Sequence, residues 1–410
     1  MNVKLTASKI NTQAAITISG SKSETNRLLI LQALYPNITL ENVSDSDDSK
    51  VMIGALSSTD EIIDVHHAGS TMRFLTAYYS MQEGRTVTLT GSDRMKERPI
   101  KILVNALRQL GADIEYLEND GFPPIKIVGQ KITKYQVSLD ANVSSQYISA
   151  LLLIAPKLEN GLEIILNSEI TSRPYLDMTI KLLDAIGAKT FFIGSKINVQ
   201  PKLRIDDMNY SIESDWSSGS YYYSIVALAK VGTEITLSGF KENSLQGDSV
   251  VADIYRNFGV ETVFQNNDSL VITKTNNPLP ENFQLNLNHT PDLAQTIAVT
   301  CFGLRISCKL DGLHTLKIKE TNRLEALKVE LIKLGANVSI DESSITINSS
   351  NDIEAGISIK TYDDHRMAMA FAPLALKVPL VIENTEVVSK SYPGFWNDLE
   401  SIGFSIDEIK

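Results

Sequence analysis

One order of segments recurs six times along this chain, and that periodicity restricts the fold more than any local propensity does. Each time, a polar loop with a small or capping residue leads into a helix that is apolar nearly all round. A glycine-bounded or polar turn and an alternating strand follow. The pattern begins at Gly20, His67, Val143, Asp215, His289 and Asp363. Successive starts lie 47, 76, 72, 74 and 74 residues apart, so only the first unit is out of step. The strands include Thr86-Val87-Thr88-Leu89-Thr90, Glu234-Ile235-Thr236-Leu237-Ser238 and Leu380-Val381-Ile382-Glu383. Units repeating at a fixed period bury their apolar faces against one another, so a few copies of one supersecondary element are expected.

A second helix in each unit carries a single apolar stripe. Ile100, Leu103, Val104 and Leu107 fall at i, i+3, i+4 and i+7, and Leu324, Leu327, Leu331 and Leu334 share one face. These helices end on a shared signal: Leu110-Gly111-Ala112, Ile186-Gly187-Ala188, Phe258-Gly259-Val260, Leu334-Gly335-Ala336 and Ile402-Gly403-Phe404. Glycine there suits the left-handed residue just past a helix end. The first unit lacks this glycine. Its stretch Val51 to Val65 runs straight into His66, where a strand pair is missing.

A helix apolar on all sides belongs inside, and a striped one outside. Three units would make one globule, with buried helices covered by sheets. The sixth unit ends at Lys410 without closing strands, while residues 3–18 read as a strand pair with no unit of their own. The N-terminal segment is therefore expected to complete the last unit. Two domains follow, residues 20–213 and residues 1–19 with 214–410, joined by crossings near 20 and 214 as a double-stranded hinge. The fold class is α/β (α+β): a two-domain inverse α/β barrel of six βαβαββ-type units, the first shortened.

Composition narrows the function. Apolar residues make up 43% and charged residues 21%, an ordinary globular balance, and the net charge of −11 disfavours nucleic acid and anionic membranes as partners. Any anion site must be a local concentration of Lys and Arg. Cys301 and Cys308, in one apolar segment, read as reduced core residues of a cytosolic protein. The five histidines show no metal-ligand spacing. The N-terminus has no signal or transit pattern and no apolar run is long enough to span a bilayer, so a cytoplasmic location is expected.

The helix starts carry the chemistry. Gly20-Ser21-Lys22-Ser23-Glu24-Thr25-Asn26-Arg27 reads as strand, turn and helix start, without the glycine spacing of a Walker loop. Lys22 and Arg27 sit where unpaired N–H groups and the macrodipole are already positive. Either Glu24 answers them or a bound phosphate or carboxylate does. Other starts carry Gly69, Ser70 and Arg73; Ser144, Ser145 and Gln146; Asp292; and His365 with Arg366. The second helices are preceded by Arg94, Lys96 and Arg98; Ser172 and Arg173; Lys319, Glu320 and Arg323; and Lys390. Ser217, Ser218 and the prolines fit capping and first-turn roles. The cations do not, since each opposes the dipole by roughly 0.3–1 kcal/mol. A multiply anionic ligand between the domains is the simplest explanation. Asp292 and Glu320 stand among these cations, either as an acid and base able to move protons or as ion-pair partners of Lys319 and Arg323.

Several motifs together resemble one family over the whole chain. Gly20-Ser21-Lys22-Ser23-x-x-Asn26-Arg27, Arg94-Met95-Lys96-Glu97-Arg98-Pro99-Ile100, Ser144-Ser145-Gln146, Lys319-Glu320-Thr321-x-Arg323-Leu324 and Asp364-His365-Arg366-Met367-Ala368 are similar to the EPSP synthases. The resemblance implies transfer of the enolpyruvyl group of phosphoenolpyruvate to the 5-hydroxyl of shikimate 3-phosphate. The reaction is an addition then an elimination, by a monomer, with no metal or organic cofactor. It also implies that Lys22, Ser23, Arg27, Ser144, Ser145, Gln146, Ser172, Tyr175, Asp292, Thr315 and Lys319 hold shikimate 3-phosphate. Lys22, Gly69, Arg94, Gln146, Arg323, His365, Arg366 and Lys390 would surround phosphoenolpyruvate. Asp292 would take the hydroxyl proton, Glu320 would protonate the methylene carbon, and Lys22 would assist and balance charge. About six negative charges meet in such a site, which implies closure of cation-bearing halves on the ligands.

Three positions depart from the family pattern. His67 stands for a usual Asn, Phe74 for a usual Pro, and Thr315 for a usual substrate-contacting Asn. The retained Gly69 implies inhibition by glyphosate. Two alternatives fit less well. The sister enzyme acting on UDP-N-acetylglucosamine usually carries a reactive Cys, absent from Gly91–Pro99, and an Asn where Ser23 follows Lys22. A non-catalytic anion-binding homologue would have lost an acid, base or cation that is present here.

Overall fold

A helix apolar on every face must be enclosed, and the computed structural model, which describes residues 1–6, 10–266, 268–349 and 352–409, encloses six of them. They are Lys22–Leu34, Gly69–Ser80, Ser145–Ile154, Trp216–Leu228, Ala294–Gly303 and His365–Phe371. Every residue of the last two is buried. The first three pack on one another, and so do the last three. The striped helices lie with one face inward: Lys101–Leu110 buries Leu103, Val104 and Leu107, and Arg323–Lys333 buries Leu324, Leu327 and Leu331. Gly111 ends the former at φ 103°, with the Ala112 N–H reaching back to the Leu107 carbonyl at 3.0 Å. The other four glycines of that signal also have positive φ. A side chain with a Cβ would be strained at such a position.

The sheets repeat one plan. Ile62–Asp64 and Thr86–Thr90 flank the helix Gly69–Ser80 and pair in parallel, and the antiparallel strands Ile125–Val128 and Asp113–Tyr116 extend the sheet. Among the described residues there are five four-stranded sheets and one of two strands. The two-stranded one belongs to the short first unit, where Ile38–Glu41 pairs with Met208–Ser211. Helices lie inside and strands outside, but the sheets remain separate and do not join edge to edge into a closed barrel among the described residues.

Residues 3–18 do not form the expected strand pair. Asn2–Leu5 lies between Leu380–Ile382 and Ile406–Ile409, antiparallel to both, and supplies the missing strand of the last sheet. Gln13–Thr17 instead runs parallel to Glu234–Ser238 in a different sheet. Residues 7–9, within that expectation, lie outside the described residues. The reason is topological. Four buried helices have the strand before them paired with the strand after them, as in Ile62–Asp64 and Thr86–Thr90. At Lys22–Leu34 and Trp216–Leu228 the leading strands have traded partners. That exchange carries the chain between two compact units, residues 21–212 and residues 1–20 with 213–410. In the second unit the crossing strand is anchored by Ser214, whose hydroxyl donates to the Ile18 carbonyl at 2.7 Å. A Cβ on Gly239 would lie 2.1 Å from that hydroxyl oxygen, so the position requires glycine.

Candidate active site

In the unit 21–212, Lys22 opens its helix and its Nζ lies 3.6 Å from the Asp48 carboxylate. Glu24 is buried and accepts the Tyr210 hydroxyl at 2.8 Å. Asp48, which the sequence reading passed over, provides a protein counter-charge for Lys22. Its signal was there in Ser46-Asp47-Asp48, a capping serine followed by an acidic first turn.

Arg27 is a buried strut. Its Nε donates to Thr179 Oγ1 at 2.7 Å and its Nη1 to the Ser23 carbonyl at 2.7 Å. Its Nη2 donates to Ser149 Oγ at 3.3 Å and to the Tyr175 carbonyl at 3.2 Å. Burial pushes the guanidinium down to about 10, against the attraction of Tyr175 and Glu24. Phe74 stands 5.3 Å beneath it, so this departure from the family pattern supplies a cation–π face. Ser23 and Tyr175 thus contribute backbone carbonyls to the strut. Ser172 takes a left-handed conformation (φ 56°) before the helix Arg173–Ala185.

Three segments converge on Gly69. The Gln146 amide donates to Ser70 Oγ at 3.1 Å, which brings Ser144-Ser145-Gln146 against the start of Gly69–Ser80. Ser144 caps its own helix by accepting the Gln146 N–H at 3.3 Å. Arg73 donates to the Gly69 carbonyl at 2.9 Å and the Pro99 carbonyl at 3.3 Å. The Arg98 guanidinium lies flat on Gly69, where a Cβ would fall 2.7 Å from Nη1, 2.8 Å from Nη2 and 2.9 Å from Cζ. Arg94, the arginine expected at phosphoenolpyruvate, has a side chain 40% exposed and pairs with Glu97 at 2.8 Å. The short helix Asp93–Lys96 turns Arg94 outward, and the chain then brings buried Arg98 inward before Pro99. Arg98 rather than Arg94 therefore joins the Gly69 group.

The other unit assembles a denser cluster from four chain segments. Arg323, 2% exposed at the start of its helix, is its centre. It donates from Nε to Asp364 at 2.6 Å, from Nη1 to Asp292 at 3.0 Å and from Nη2 to Glu320 at 2.9 Å. Arg366 reaches the other Asp292 oxygen at 2.8 Å, Lys319 lies 3.8 Å from Asp292, and buried Lys390 lies 3.1 Å from Glu320. Asp364 also caps the helix His365–Phe371 through the Arg366 N–H at 2.9 Å. His365 is buried with its Nδ1 3.7 Å from Asp364, and Thr315 is buried on the turn His314–Ile318. Burial alone would raise the Asp292 pKa, but Arg366, Lys319 and Arg323 outweigh it and hold Asp292 well below the carboxylate range. Burial lowers the Arg323 pKa, and Asp364, Glu320 and Asp292 raise it further than burial lowers it. Asp248, another acid the sequence reading passed over, is pushed up to about 7 by burial and then by Asp292.

Lys22, Lys319, Arg323, Arg366 and Lys390 are all answered by buried or half-buried carboxylates of the protein itself. Cations at helix starts therefore do not by themselves require a ligand. What remains chemically distinctive is a pair of carboxylates, Asp292 and Glu320, held by one guanidinium. Such a pair can exchange protons with a bound molecule once anionic groups compete for the cations around it.

Other expectations fall away from the site. Cys301 and Cys308 are free and buried. Among the described residues no group of His, Cys, Asp and Glu could hold a metal ion, and no helix is long and apolar enough to cross a membrane.

Known proteins resemble this chain in sequence and in architecture. The family model described as EPSP synthase (3-phosphoshikimate 1-carboxyvinyltransferase) matches residues 55–399. A relative from Bacteroides fragilis named 3-phosphoshikimate 1-carboxyvinyltransferase is 46% identical over 398 residues, covering 96% of this chain and 96% of the relative. One of the same name from Vibrio atlanticus is 35% identical over 417 residues, covering 94% and 96%. The solved EPSP synthase of Acinetobacter baumannii superposes with a TM-score of 0.77 at 19% identity, covering 99% of this chain and 100% of that one. The enolpyruvyl transferase NikO of Streptomyces tendae superposes with a TM-score of 0.75 at 14% identity, covering 99% and 98%.

Proposed function

The chain belongs to the EPSP synthase (3-phosphoshikimate 1-carboxyvinyltransferase) family, and from that premise we propose how its own residues divide the reaction. The reaction moves the enolpyruvyl group of phosphoenolpyruvate to the 5-hydroxyl of shikimate 3-phosphate, giving 5-enolpyruvylshikimate 3-phosphate and phosphate. This is the step of the shikimate pathway that leads to chorismate and the aromatic amino acids. Ser23, Arg27, Ser144, Ser145, Gln146, Ser172, Tyr175, Asp292, Thr315 and Lys319 take shikimate 3-phosphate. Lys22, Gly69, Gln146, Arg323, His365, Arg366 and Lys390 take phosphoenolpyruvate, with Arg98 in the place first given to Arg94. Arg27 has four of its N–H contacts spent on the protein, so its part is mainly to hold Ser23, Ser149 and Tyr175 in place.

The observation that carries these roles is the cluster joining Asp292 and Glu320 through Arg323. In the addition, the 5-hydroxyl oxygen bonds to the second carbon of phosphoenolpyruvate while Asp292 removes its proton and Glu320 protonates the methylene carbon. In the elimination, Glu320 takes a proton back from the methyl carbon and the C–O bond to phosphate breaks, the proton taken up by Asp292 leaving with the phosphate and Lys22 balancing the departing charge. Asp292 as it stands is a weak base, because burial is overridden by Arg366, Lys319 and Arg323. Anionic substrate groups that engage those cations would weaken their hold and raise its basicity, so the base is switched on by the substrates it serves. The scheme calls on no metal or organic cofactor. The protein is proposed to act in the cytoplasm as a monomer, with no nucleic-acid or membrane partner.

The test is phosphate release from phosphoenolpyruvate with either shikimate 3-phosphate or UDP-N-acetylglucosamine as acceptor. Release with the first and not the second is expected. No release with shikimate 3-phosphate would sink the assignment.

A further inference from the structure

Glu330 has no part in the roles above, yet it is a fully buried carboxylate on the helix that begins with Arg323. A buried charge must be well paired to be tolerated. Its Oε1 accepts the Tyr362 hydroxyl at 2.7 Å, its Oε2 accepts the Lys360 N–H at 3.1 Å, and Lys333 on its own helix pairs with Oε2. Two of these partners belong to the segment Lys360–Asp364, which leads into the helix His365–Phe371. In that segment Tyr362 and Asp363 both have φ 55°, two successive left-handed residues that each carry a Cβ. Such backbone persists only where its surroundings hold it. Asn384 donates to the Asp363 carboxylate at 2.9 Å, and the next residue, Asp364, grips Arg323 and caps Arg366.

Glu330 and Arg323 are seven residues apart, so they lie on one face of their helix about 10 Å from each other. One helix thus grips the segment at two points, Glu330 holding Lys360 and Tyr362 and Arg323 holding Asp364. We propose that Glu330 is a positioning residue: through Tyr362 it holds the left-handed turn that sets Asp364 against Arg323 and aims Arg366. The inference rests on the reading that Arg323 and Arg366 bind phosphoenolpyruvate. Without the strut the turn relaxes, the aligned arrangement becomes a minority, and apparent affinity falls in proportion. The loss should appear in the phosphoenolpyruvate KM and not in that of shikimate 3-phosphate, most of whose proposed contacts lie on other segments.

Tyr362→Phe removes one hydroxyl and leaves Glu330 paired with Lys333 and Lys360. Tyr255→Phe is the control, since it also deletes a tyrosine hydroxyl bond, 2.8 Å to the Thr300 hydroxyl, but away from this segment. Steady-state phosphate release, with each substrate varied in turn, reads both. For Tyr362→Phe the phosphoenolpyruvate KM should rise about tenfold with the shikimate 3-phosphate KM within about twofold of wild type. Tyr255→Phe should move neither. Glu330→Gln should shift the same KM in the same direction, because a Gln oxygen turned to the Lys360 N–H leaves an NH₂ group where the Tyr362 hydroxyl now donates to a carboxylate. If Glu330→Gln does not fold, the tyrosine pair still decides. An unchanged phosphoenolpyruvate KM in Tyr362→Phe, or equal changes in both substrates' KM, would overturn the inference. An inactive wild type would overturn the functional reading and this inference with it.

Discussion

Gly69→Ala is the substitution whose consequence the geometry specifies most closely. Gly69 opens its helix with ordinary helical backbone, so alanine there is locally tolerable and even favoured by helix propensity. The obstacle is Arg98, whose guanidinium atoms would stand 2.7–2.9 Å from the new Cβ. An ordinary carbon–nitrogen contact is about 3.5 Å, so the guanidinium must retreat by roughly 0.7 Å. A retreat of that size turns a charge-assisted hydrogen bond of about 2.8 Å into a contact at the limit of bonding. Hydrogen bonds to charged groups are worth about 1.5–3 kcal/mol, so affinity for the anion that Arg98 holds should fall about 10- to 150-fold. The expected result is a phosphoenolpyruvate KM raised at least tenfold, a shikimate 3-phosphate KM near wild type, and an unchanged unfolding midpoint. Steady-state kinetics with urea denaturation reads all three. A phosphoenolpyruvate KM within about twofold of wild type would refute the placement of Arg98 over the anion site.

Glu320→Gln and Lys22→Met should each lower kcat by about 10²–10⁴-fold with folding intact, and near-normal turnover in either would remove that residue from the scheme. Glyphosate should inhibit the wild-type enzyme in competition with phosphoenolpyruvate, because Gly69 has no side chain to displace the Arg98 guanidinium; normal turnover in excess inhibitor would count against this. Burial pushes the folded Asp248 carboxyl up to about 7, against about 3.9 for an unfolded chain, so the folded chain holds the extra proton between those values. Its contribution to stability therefore falls as pH rises through that window. Asp248→Asn should be more stable than wild type at pH 8, by at most about 4 kcal/mol, with the advantage shrinking below pH 7 and gone below about pH 4. Urea midpoints that match at pH 8 would show that burial of Asp248 carries no such cost.

The parts of the fold legible in the sequence were those written in periodicity. The six apolar helices and the glycines 111, 187, 259, 335 and 403 follow from spacing and backbone sterics that act within a few residues. The partner of Gln13–Thr17 could not be read that way, because two strands of equal character, Gln13–Thr17 and Met208–Ser211, exchange sheets far along the chain. The site divides similarly. Lys22, Asp292, Glu320, Arg323 and Arg366 stood out by motif. Asp48 did not, and Asp364 stood in a motif without a role of its own, since a carboxylate at a helix start looks like an ordinary cap until its second partner is known. Here those partners are Lys22 and Arg323. Arg94 and Arg98 were indistinguishable by type, and only the turn after Lys96 separates the exposed arginine from the buried one. Charge counting misled in one respect, because it weighed cations at helix starts without the carboxylates that fold against them.

The assignment is tested most directly by following phosphorus. Purified protein incubated with equal amounts of phosphoenolpyruvate and shikimate 3-phosphate would be observed by ³¹P nuclear magnetic resonance. Loss of the phosphoenolpyruvate signal should be matched one for one by inorganic phosphate and by a new phosphate-ester resonance replacing that of shikimate 3-phosphate. Phosphate appearing while the shikimate 3-phosphate resonance stays unchanged, or no turnover at all, would contradict an enolpyruvyl transfer.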